Sequence, residues 1–329
     1  AQTEGAVAVI MVNNATGAPF VMGGAGGGIT IPSVMVSDID GETIIAEIEE
    51  GGTVTGTLVD APAFDLDGDF DNGIVAHEYG HGISNRLTGG AANSNCLSNN
   101  EQMGEGWSDW FALMMTIEPG DIATDNRGIG TWVTGESTTG VGIRPAPYNV
   151  DMAVNGFTYD NTNGGVSQPH GIGFVWCTML WDITWDLIDQ YGYDPDLYNG
   201  TGGNNIAMNL IIEGLKLQPC GPGFVDGRDA ILQADQLLYG GANQCLLWNA
   251  FANRGLGFSA SQGSANNRSD QTEAFDLPGY IVNVSTTENQ IACGSYTWSA
   301  NNQTYSTSGT YTEVLFASTG CDSTVTLNL

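Results

Sequence analysis

Basic side chains are scarce in this 329-residue sequence: Lys and Arg together number 7, against 37 Asp and Glu, giving a formal net charge of −30. Proteins bind phosphate backbones and anionic lipid surfaces through clustered Lys and Arg. We therefore expect no nucleic-acid partner and no docking on an acidic membrane. The sequence also lacks any run of 18 apolar residues, so we expect no helix that inserts into a bilayer.

Histidine and lysine are rarer still, with three histidines and a single lysine, Lys216. Charged residues make up 13 % of the chain, whereas glycine reaches 47 residues, which is typical of a fold rich in turns and loops. Six cysteines, few lysines and many Gly, Asn and Thr residues suit a secreted protein, in which up to three disulfides are allowed. Composition gives no information on the oligomeric state.

The pattern of apolar residues predicts three regions. Residues 1–61 alternate between short apolar strands (6–13, 31–36 and 53–59) and one helix (40–50), as in a small α/β module. Residues 62–282 carry mostly helical spacing. Residues 283–329 are rich in Thr and Ser and alternate as strands do, which predicts a separate small β module. The helices predicted in the central region cover 71–90, 103–117, 170–191, 204–217, 226–239 and 244–254.

The first of these central helices carries the motif His77-Glu78-Tyr79-Gly80-His81. Histidines four residues apart share one helix face, so His77 and His81 can converge on one zinc ion. Zinc lowers the pKa of its bound water toward about 7, and the adjacent Glu78 is positioned to take the proton. The alternative is a helix that carries two histidines by chance, but those two are most of the histidines in the chain.

A carboxylate on the next helix can complete the metal site. Glu105 would give the His₂Glu set of catalytic zinc sites, and Asp109, four residues later, would hold a ligand imidazole through its far N–H. The alternative is that Glu105 is an ordinary surface carboxylate. Glu101 is the nearest competitor as third ligand, but it stands in the polar segment before the helix.

Other residues are candidates for supporting roles. His170 opens the helix predicted at 170–191 and can donate a hydrogen bond to the oxyanion of a tetrahedral intermediate. A phenol could supply a further donor, and the sequence does not choose between Tyr148 and Tyr159. The carboxylates between Asp65 and Asp71 are spaced like those of a calcium loop, so Ca²⁺ is possible there. The favoured interpretation is an acidic segment that caps the helix of the zinc motif.

Four segments carry a resemblance to a known family. The stretches HEYGHGISNRLTGG (77–90), MGEGWSDW (103–110), DGRDAILQADQLLYGGANQC (226–245) and LWNAFANRGLG (247–257) resemble the fungalysin metallopeptidases of family M36, which are thermolysin-like gluzincins. The resemblance covers residues 62–282. It implies an α+β protein with a mainly helical, thermolysin-like catalytic lobe and the activity of a zinc endopeptidase on protein or peptide substrates.

The resemblance also assigns roles to individual residues. His77, His81 and Glu105 match the family's zinc ligands, and Glu78 matches the general base that acts on the zinc-bound water. His170 matches the transition-state histidine of an H-x-x-G pattern. The family commonly has Glu after that glycine, where this chain has Phe174.

The likeness extends to the outer regions and to the cysteines. Residues 1–60 resemble the C-terminal part of a protease-associated (PA) domain, a likeness carried by the stretch 31–44. Residues 293–329 resemble modules repeated in secreted proteins of Bacteroidetes-type bacteria, and both outer regions look incomplete. The predicted disulfides join Cys220 to Cys245, which flank a helix, and Cys293 to Cys321 in the terminal module, whereas Cys177 is predicted to be a buried free thiol. The competing function is a non-catalytic binding or adhesion fragment, inactive because part of the amino-terminal catalytic lobe is missing.

Overall fold

The computed structural model describes residues 1–14, 28, 30–58, 67–279, 281, 286–315 and 323–329. The chain divides into two compact units, residues 1–65 and 66–329. The described part is α+β, with seven α-helices and small sheets. None of the helices within the described ranges combines the length and apolar character that a membrane span requires.

The first unit is built on two parallel strands, β1 (Val9–Val12) and β2 (Ser33–Val36). Helix α1 (Asp38–Glu49) follows β2, and its N-terminus is capped by the Ser37 hydroxyl, which accepts a hydrogen bond from the Asp40 N–H. These elements confirm the two strands and the helix predicted at 6–13, 31–36 and 40–50. The strand predicted at 53–59 is wrong over 53–58: these residues are exposed and pair with no strand of the described structure, so their alternating pattern places no side chain in a core.

The second unit contains the six helices that apolar spacing predicts. Each lies within a few residues of its predicted bounds. The first ends before its predicted terminus because Gly89 and Gly90 adopt positive φ angles of 75° and 86°, outside the helical region. The observed helices are α2 (Asn72–Leu87), α3 (Gly104–Met114), α4 (His170–Tyr191), α5 (Gly203–Leu217), α6 (Phe224–Tyr239) and α7 (Gln244–Asn253).

Helix α4 forms the centre of the hydrophobic core. Nearly all of its side chains from Gly171 to Ile188 are buried, and α3, α5 and α7 pack around it. The indoles of Trp107 and Trp176 meet edge to face with their ring centroids 5.0 Å apart, a favoured aromatic geometry. This contact fixes α3, which carries Glu105, against α4.

Glycines allow the three site-bearing helices to approach closely. A Cβ atom on Gly80 would come within 2.9 Å of the Ser108 Cα on α3, and one on Gly106 would collide with the carbonyl oxygen of Gly173 on α4. Because these positions lack side chains, α2, α3 and α4 can pack backbone against backbone. The motif on α2 is thereby brought next to Glu105.

The residues after 283 that the structure describes form strands, as predicted. Strand β7 (Ser323–Asn328) pairs in parallel with β3 (Thr286–Asn289) and antiparallel with β6 (Thr310–Leu315). A separate two-residue ladder joins β4 (Tyr296–Thr297) to β5 (Thr304–Tyr305).

The disulfide pairing differs from both predictions. Cys220 is bonded to Cys96 with a Cα–Cα distance of 4.5 Å, and not to Cys245. The reason is that the segment before α3 packs on the α5–α6 connection, where the Gly221 N–H donates to the Cys96 carbonyl at 2.7 Å. Cys293 is an exposed free thiol, so its predicted bond to Cys321 is also wrong; Cys321 itself lies outside the described residues. Cys177 is a buried free thiol, which confirms that prediction.

Candidate metal centre

The helix that carries the histidine motif begins at a well-formed cap. One carboxylate oxygen of Asp71 accepts hydrogen bonds from the backbone N–H groups of Gly73 and Ile74, and the other accepts from Val133. Asp67 accepts from the backbone of Asp69 in the preceding 3₁₀ turn. The acidic segment therefore caps α2, as the capping interpretation predicts. Asp65, the first residue of the calcium-loop alternative, lies outside the described residues.

The side chains of His77, His81 and Glu105 converge. Their potential ligand atoms all lie within 4.8 Å of one another, and they form the one such group of His, Cys, Asp and Glu found in the described part of the chain. The Nε2 atom of His77 is 3.2 Å from Oε2 of Glu105, and Nε2 of His81 is 3.7 Å from Oε1. The two imidazole rings stand at 89° with centroids 4.7 Å apart.

This donor set fits a zinc ion. Oε2 of Glu105 is buried and accepts no hydrogen bond of acceptable geometry, although an unsatisfied buried carboxylate oxygen is costly. Two imidazole nitrogens face the same carboxylate, and nitrogen ligands with one carboxylate are the typical set of a catalytic zinc site. A cation held among the three groups would satisfy that oxygen.

Asp109 lies directly behind His77. Its Oδ1 is 2.7 Å from Nδ1 of His77, and the guanidinium of Arg144 donates to both carboxylate oxygens at 2.6 and 2.7 Å. The hydroxyl of Tyr148 donates to Oδ2 as well. Burial acts to raise the pKa of Asp109, but the hydrogen bonds from Arg144 and His77 outweigh burial and hold that pKa below its usual value. An ionised Asp109 keeps a proton on Nδ1 of His77, so Nε2 is the nitrogen that would bind a metal in exchange for its own proton.

The two histidines have opposite electrostatic environments. Burial disfavours the charged form of His77, but the hydrogen bond to Asp109 and the carboxylate of Glu105 close to Nε2 outweigh it and raise the pKa of His77 to about 9. Burial and the neighbouring charge of His77 lower the pKa of His81. Burial acts to raise the pKa of Glu105, but the close contact with His77 and the charges of the three histidines outweigh burial, so the pKa of Glu105 is lowered. The carboxylate is therefore ionised at neutral pH.

The predicted catalytic residues stand at the edge of this cluster. Glu78 is exposed on α2, and its carboxylate accepts no hydrogen bond from the described residues. His170 is the first residue of α4, with Nε2 3.6 Å from Oε2 of Glu105 and 58 % of its side chain exposed. Phe174, where the family commonly has Glu, is fully buried and packs against the ring of Tyr148 at 5.0 Å. Phe174 therefore packs against the tyrosine whose hydroxyl donates to Asp109, and it supplies no polar group to the metal centre.

Neither of the two tyrosines considered from the sequence is accessible to a substrate. Tyr148 and Tyr159 are both fully buried, and their hydroxyls donate to Asp109 and Glu101 respectively. The competing third ligand, Glu101, is fully buried away from the histidines and is not part of the cluster. Burial outweighs the opposing hydrogen bonds from Tyr159 and the Phe224 backbone and raises the pKa of Glu101 to about 7, and the nearby charges of Asp270 and Asp226 add to the rise.

We expect the buried carboxyl of Glu101 to make folding stability fall as pH rises from about 4.5 to about 7. Within that window the folded protein holds a proton that the unfolded chain releases, so deprotonation costs up to about 3 kcal/mol of unfolding free energy. Glu101→Gln stays neutral and still accepts from Tyr159. Its stability relative to wild type should therefore rise by about 3 kcal/mol between pH 4.5 and pH 8.

Urea unfolding of both proteins across this pH range measures the difference. Glu213→Gln on α5 is the matched control, because Glu213 is half-buried beside Lys216, which pairs with it at 2.8 Å. A constant stability difference between Glu101→Gln and wild type at every pH would contradict the expected titration of Glu101.

Sequence reasoning missed Arg144, whose side chain is 2 % exposed and donates to both carboxylate oxygens of Asp109. No motif surrounds it, because it lies in the long loop region between α3 and α4. One signal was nevertheless present. The chain has only 7 Lys and Arg in total, so each arginine is a candidate partner for a buried carboxylate.

Comparison with known proteins supplies the family context. Residues 50–260 match the family model of the fungalysin metallopeptidases (M36). The extracellular metalloproteinase mep of Aspergillus fumigatus is 47 % identical over 215 residues, which is 63 % of this chain and 33 % of the relative. The corresponding protein of Neosartorya fischeri is 48 % identical over the same length and shares. Extracellular metalloproteinase 2 of Arthroderma gypseum is 44 % identical over 220 residues, 64 % of this chain and 33 % of the relative. The chain thus spans about a third of the length of these curated relatives.

Proposed function

Because the chain belongs to the fungalysin (M36) metallopeptidase family, we propose that it carries the metal centre of a secreted zinc endopeptidase. The observation that carries the proposal is the convergence of His77, His81 and Glu105 within 4.8 Å. Two helices of the same packed unit supply these side chains, and Asp109 behind His77 holds the imidazole in the tautomer that a metal requires.

The chemistry divides among a few residues. Bound zinc would make water acidic enough to deprotonate near neutral pH and would polarise the substrate carbonyl. Glu78, next to the first ligand and exposed on α2, takes the proton of the attacking water and then delivers it to the leaving amine nitrogen. His170, exposed at the start of α4, donates a hydrogen bond to the carbonyl oxygen as that oxygen gains negative charge.

The remaining residues hold this arrangement in place. Arg144 and Tyr148 fix the carboxylate of Asp109, and Asp109 fixes the ring of His77. All three supporting side chains are buried, so water does not compete for their hydrogen bonds. Rigid support of this kind keeps a metal ligand in its reactive orientation.

Secretion and the assignment of the outer regions are also part of the proposal. The matched relatives are named extracellular metalloproteinases, and the Cys96–Cys220 disulfide suits an oxidising compartment. We assign residues 1–61 to a PA-like module, 62–282 to the catalytic region and 283–329 to a terminal β module. The parallel strands β1 and β2 with α1, and the terminal strands after residue 286, are compatible with this division.

Removal of the metal provides the direct test. We expect the full-length protein to contain one zinc per chain, and we expect a chelator to abolish hydrolysis of a casein-type substrate until zinc is restored. Glu105→Gln should fold but bind zinc at least about tenfold more weakly, because an amide is a poorer zinc ligand than a carboxylate. Elemental analysis and a protease assay measure both. A folded protein without stoichiometric zinc would instead support the binding-fragment function.

A further inference from the structure

A polar cavity opens beside two of the candidate ligands. It has a volume of about 240 Å³, below the roughly 300–1,000 Å³ of pockets that hold whole small molecules. His81 and Glu105 form one side of it, so a peptide bound at the metal would have a neighbouring side chain close to this cavity. A larger cavity, about 480 Å³, lies around Asp121 and Arg127 and includes none of the candidate ligands. The smaller cavity is lined by His81, Asn85, Ser94, Asn95, Leu97, Ser98, Gln102, Gly104 and Glu105.

Two half-buried carboxamides in this cavity, Asn85 and Gln102, have no partner among the described residues, whereas the third, Asn95, is exposed. Asn85 follows His81 by one helical turn on the same face of α2, and Gln102 precedes Glu105 by three residues. Both are half-buried, and within the described residues neither side-chain amide forms a hydrogen bond. Each amide offers two donor hydrogens and one acceptor oxygen to a ligand.

The far wall of the cavity is held rigidly. Residues 94–98 form this wall. Their segment is anchored by the Cys96–Cys220 disulfide and by Asn99, whose side chain donates to the carbonyls of Pro222 and Ala265, each at 2.9 Å. The buried Leu97 gives the cavity an apolar surface. A preformed wall lowers the entropic cost of binding.

From these contacts we propose that the cavity is a side-chain pocket for a substrate residue next to the scissile bond, and that it selects the carboxamide of Gln or Asn. This inference rests on the proposed peptidase function. A carboxamide matches the donors and acceptors of Asn85 and Gln102, while its methylene stem contacts Leu97. An apolar side chain would leave both amides desolvated and unpaired. A cationic side chain would find no carboxylate in the pocket apart from the candidate ligand Glu105.

The test compares matched peptides on the zinc-loaded full-length protein. The peptides differ in carrying Gln, Leu or Lys at one residue adjacent to the scissile bond, placed on either side in separate series, and kcat/KM is measured for each. We expect Gln to be preferred over Leu and over Lys by about tenfold in one of the two series, the factor that two neutral hydrogen bonds can supply.

Variants assign the preference to the pocket. The double variant Asn85→Leu/Gln102→Met removes both amides with little change in volume and should lose the tenfold Gln preference while still cleaving the Leu peptide. Gln233→Met, at an exposed position of α6, is the matched control and should keep the tenfold Gln preference. Zinc content shows that the variants retain the metal site.

The outcomes separate the two proposals. Hydrolysis of all three peptides without a Gln preference, or a preference that survives in the double variant, would overturn the pocket assignment and leave the peptidase function intact. Failure of the zinc-loaded wild-type protein to cleave any peptide would overturn the peptidase function, and the pocket assignment with it.

Discussion

Glu78→Gln is expected to keep stoichiometric zinc and to lose peptide hydrolysis by roughly 100- to 10,000-fold, the usual contribution of a positioned general base. The amide that replaces the carboxylate cannot accept the proton of the attacking water at neutral pH. The ligands are untouched, and Glu78 is exposed on α2 with no hydrogen bond to the described residues. Stability should therefore stay within about 0.5 kcal/mol of wild type.

The matched control for this substitution is Glu213→Gln. It makes the same chemical change on helix α5, where Glu213 pairs with Lys216 and contacts none of the candidate ligands. Its kcat/KM should equal that of wild type. Zinc by elemental analysis and kcat/KM on one peptide are measured for all three proteins. A Glu78→Gln protein with half or more of the wild-type rate would remove Glu78 from the role of base.

The helices of this fold are largely predictable from sequence. Long segments such as α4 (His170–Tyr191) repeat apolar residues at helical spacing over several turns, and local signals such as the Asp71 cap and Gly89-Gly90 mark the ends of α2. The convergence of His77 and His81 follows from helix periodicity, whereas Glu105 lies on the next helix and is singled out by its match to the family motif; its role as a ligand stays a prediction. Local rules suffice where a feature is set within about two helical turns.

Features set by long-range packing were not predictable. The disulfide joins Cys96 to Cys220, which are 124 residues apart in sequence, and no local pattern fixes which loops meet. Arg144 and Tyr148 lie in a long loop region without apolar periodicity, so only the packed structure shows that both reach Asp109. The exposed segment 53–58 shows the converse error, because its alternating sequence resembles a strand but pairs with no other strand in the part of the chain that the structure describes.

The second large effect is expected at Asp109, which links metal binding to the stability of the core. Asp109 is fully buried and faces His77, Arg144 and Tyr148. Asp109→Asn removes the negative charge and leaves the guanidinium of Arg144, 2 % exposed, without a counter-ion. Breaking one partner of a buried ion pair costs about 3–5 kcal/mol. A neutral amide is also a weaker acceptor for Nδ1 of His77 than the carboxylate, so zinc binding by the folded protein should weaken about 10- to 100-fold.

A second buried ion pair separates these two effects. Arg254 donates to both oxygens of Asp182 at 2.6 and 3.0 Å, and neither residue contacts a candidate ligand. Asp182→Asn should therefore cost a similar unfolding free energy but leave the zinc affinity of the folded protein within about twofold of wild type. Urea unfolding gives the stabilities, and competition with a chromophoric chelator, at a temperature where circular dichroism shows each variant folded, gives the affinities. Equal loss of zinc affinity in both variants would show that Asp109 acts through stability alone, whereas a loss confined to Asp109→Asn identifies it as the residue that orients His77.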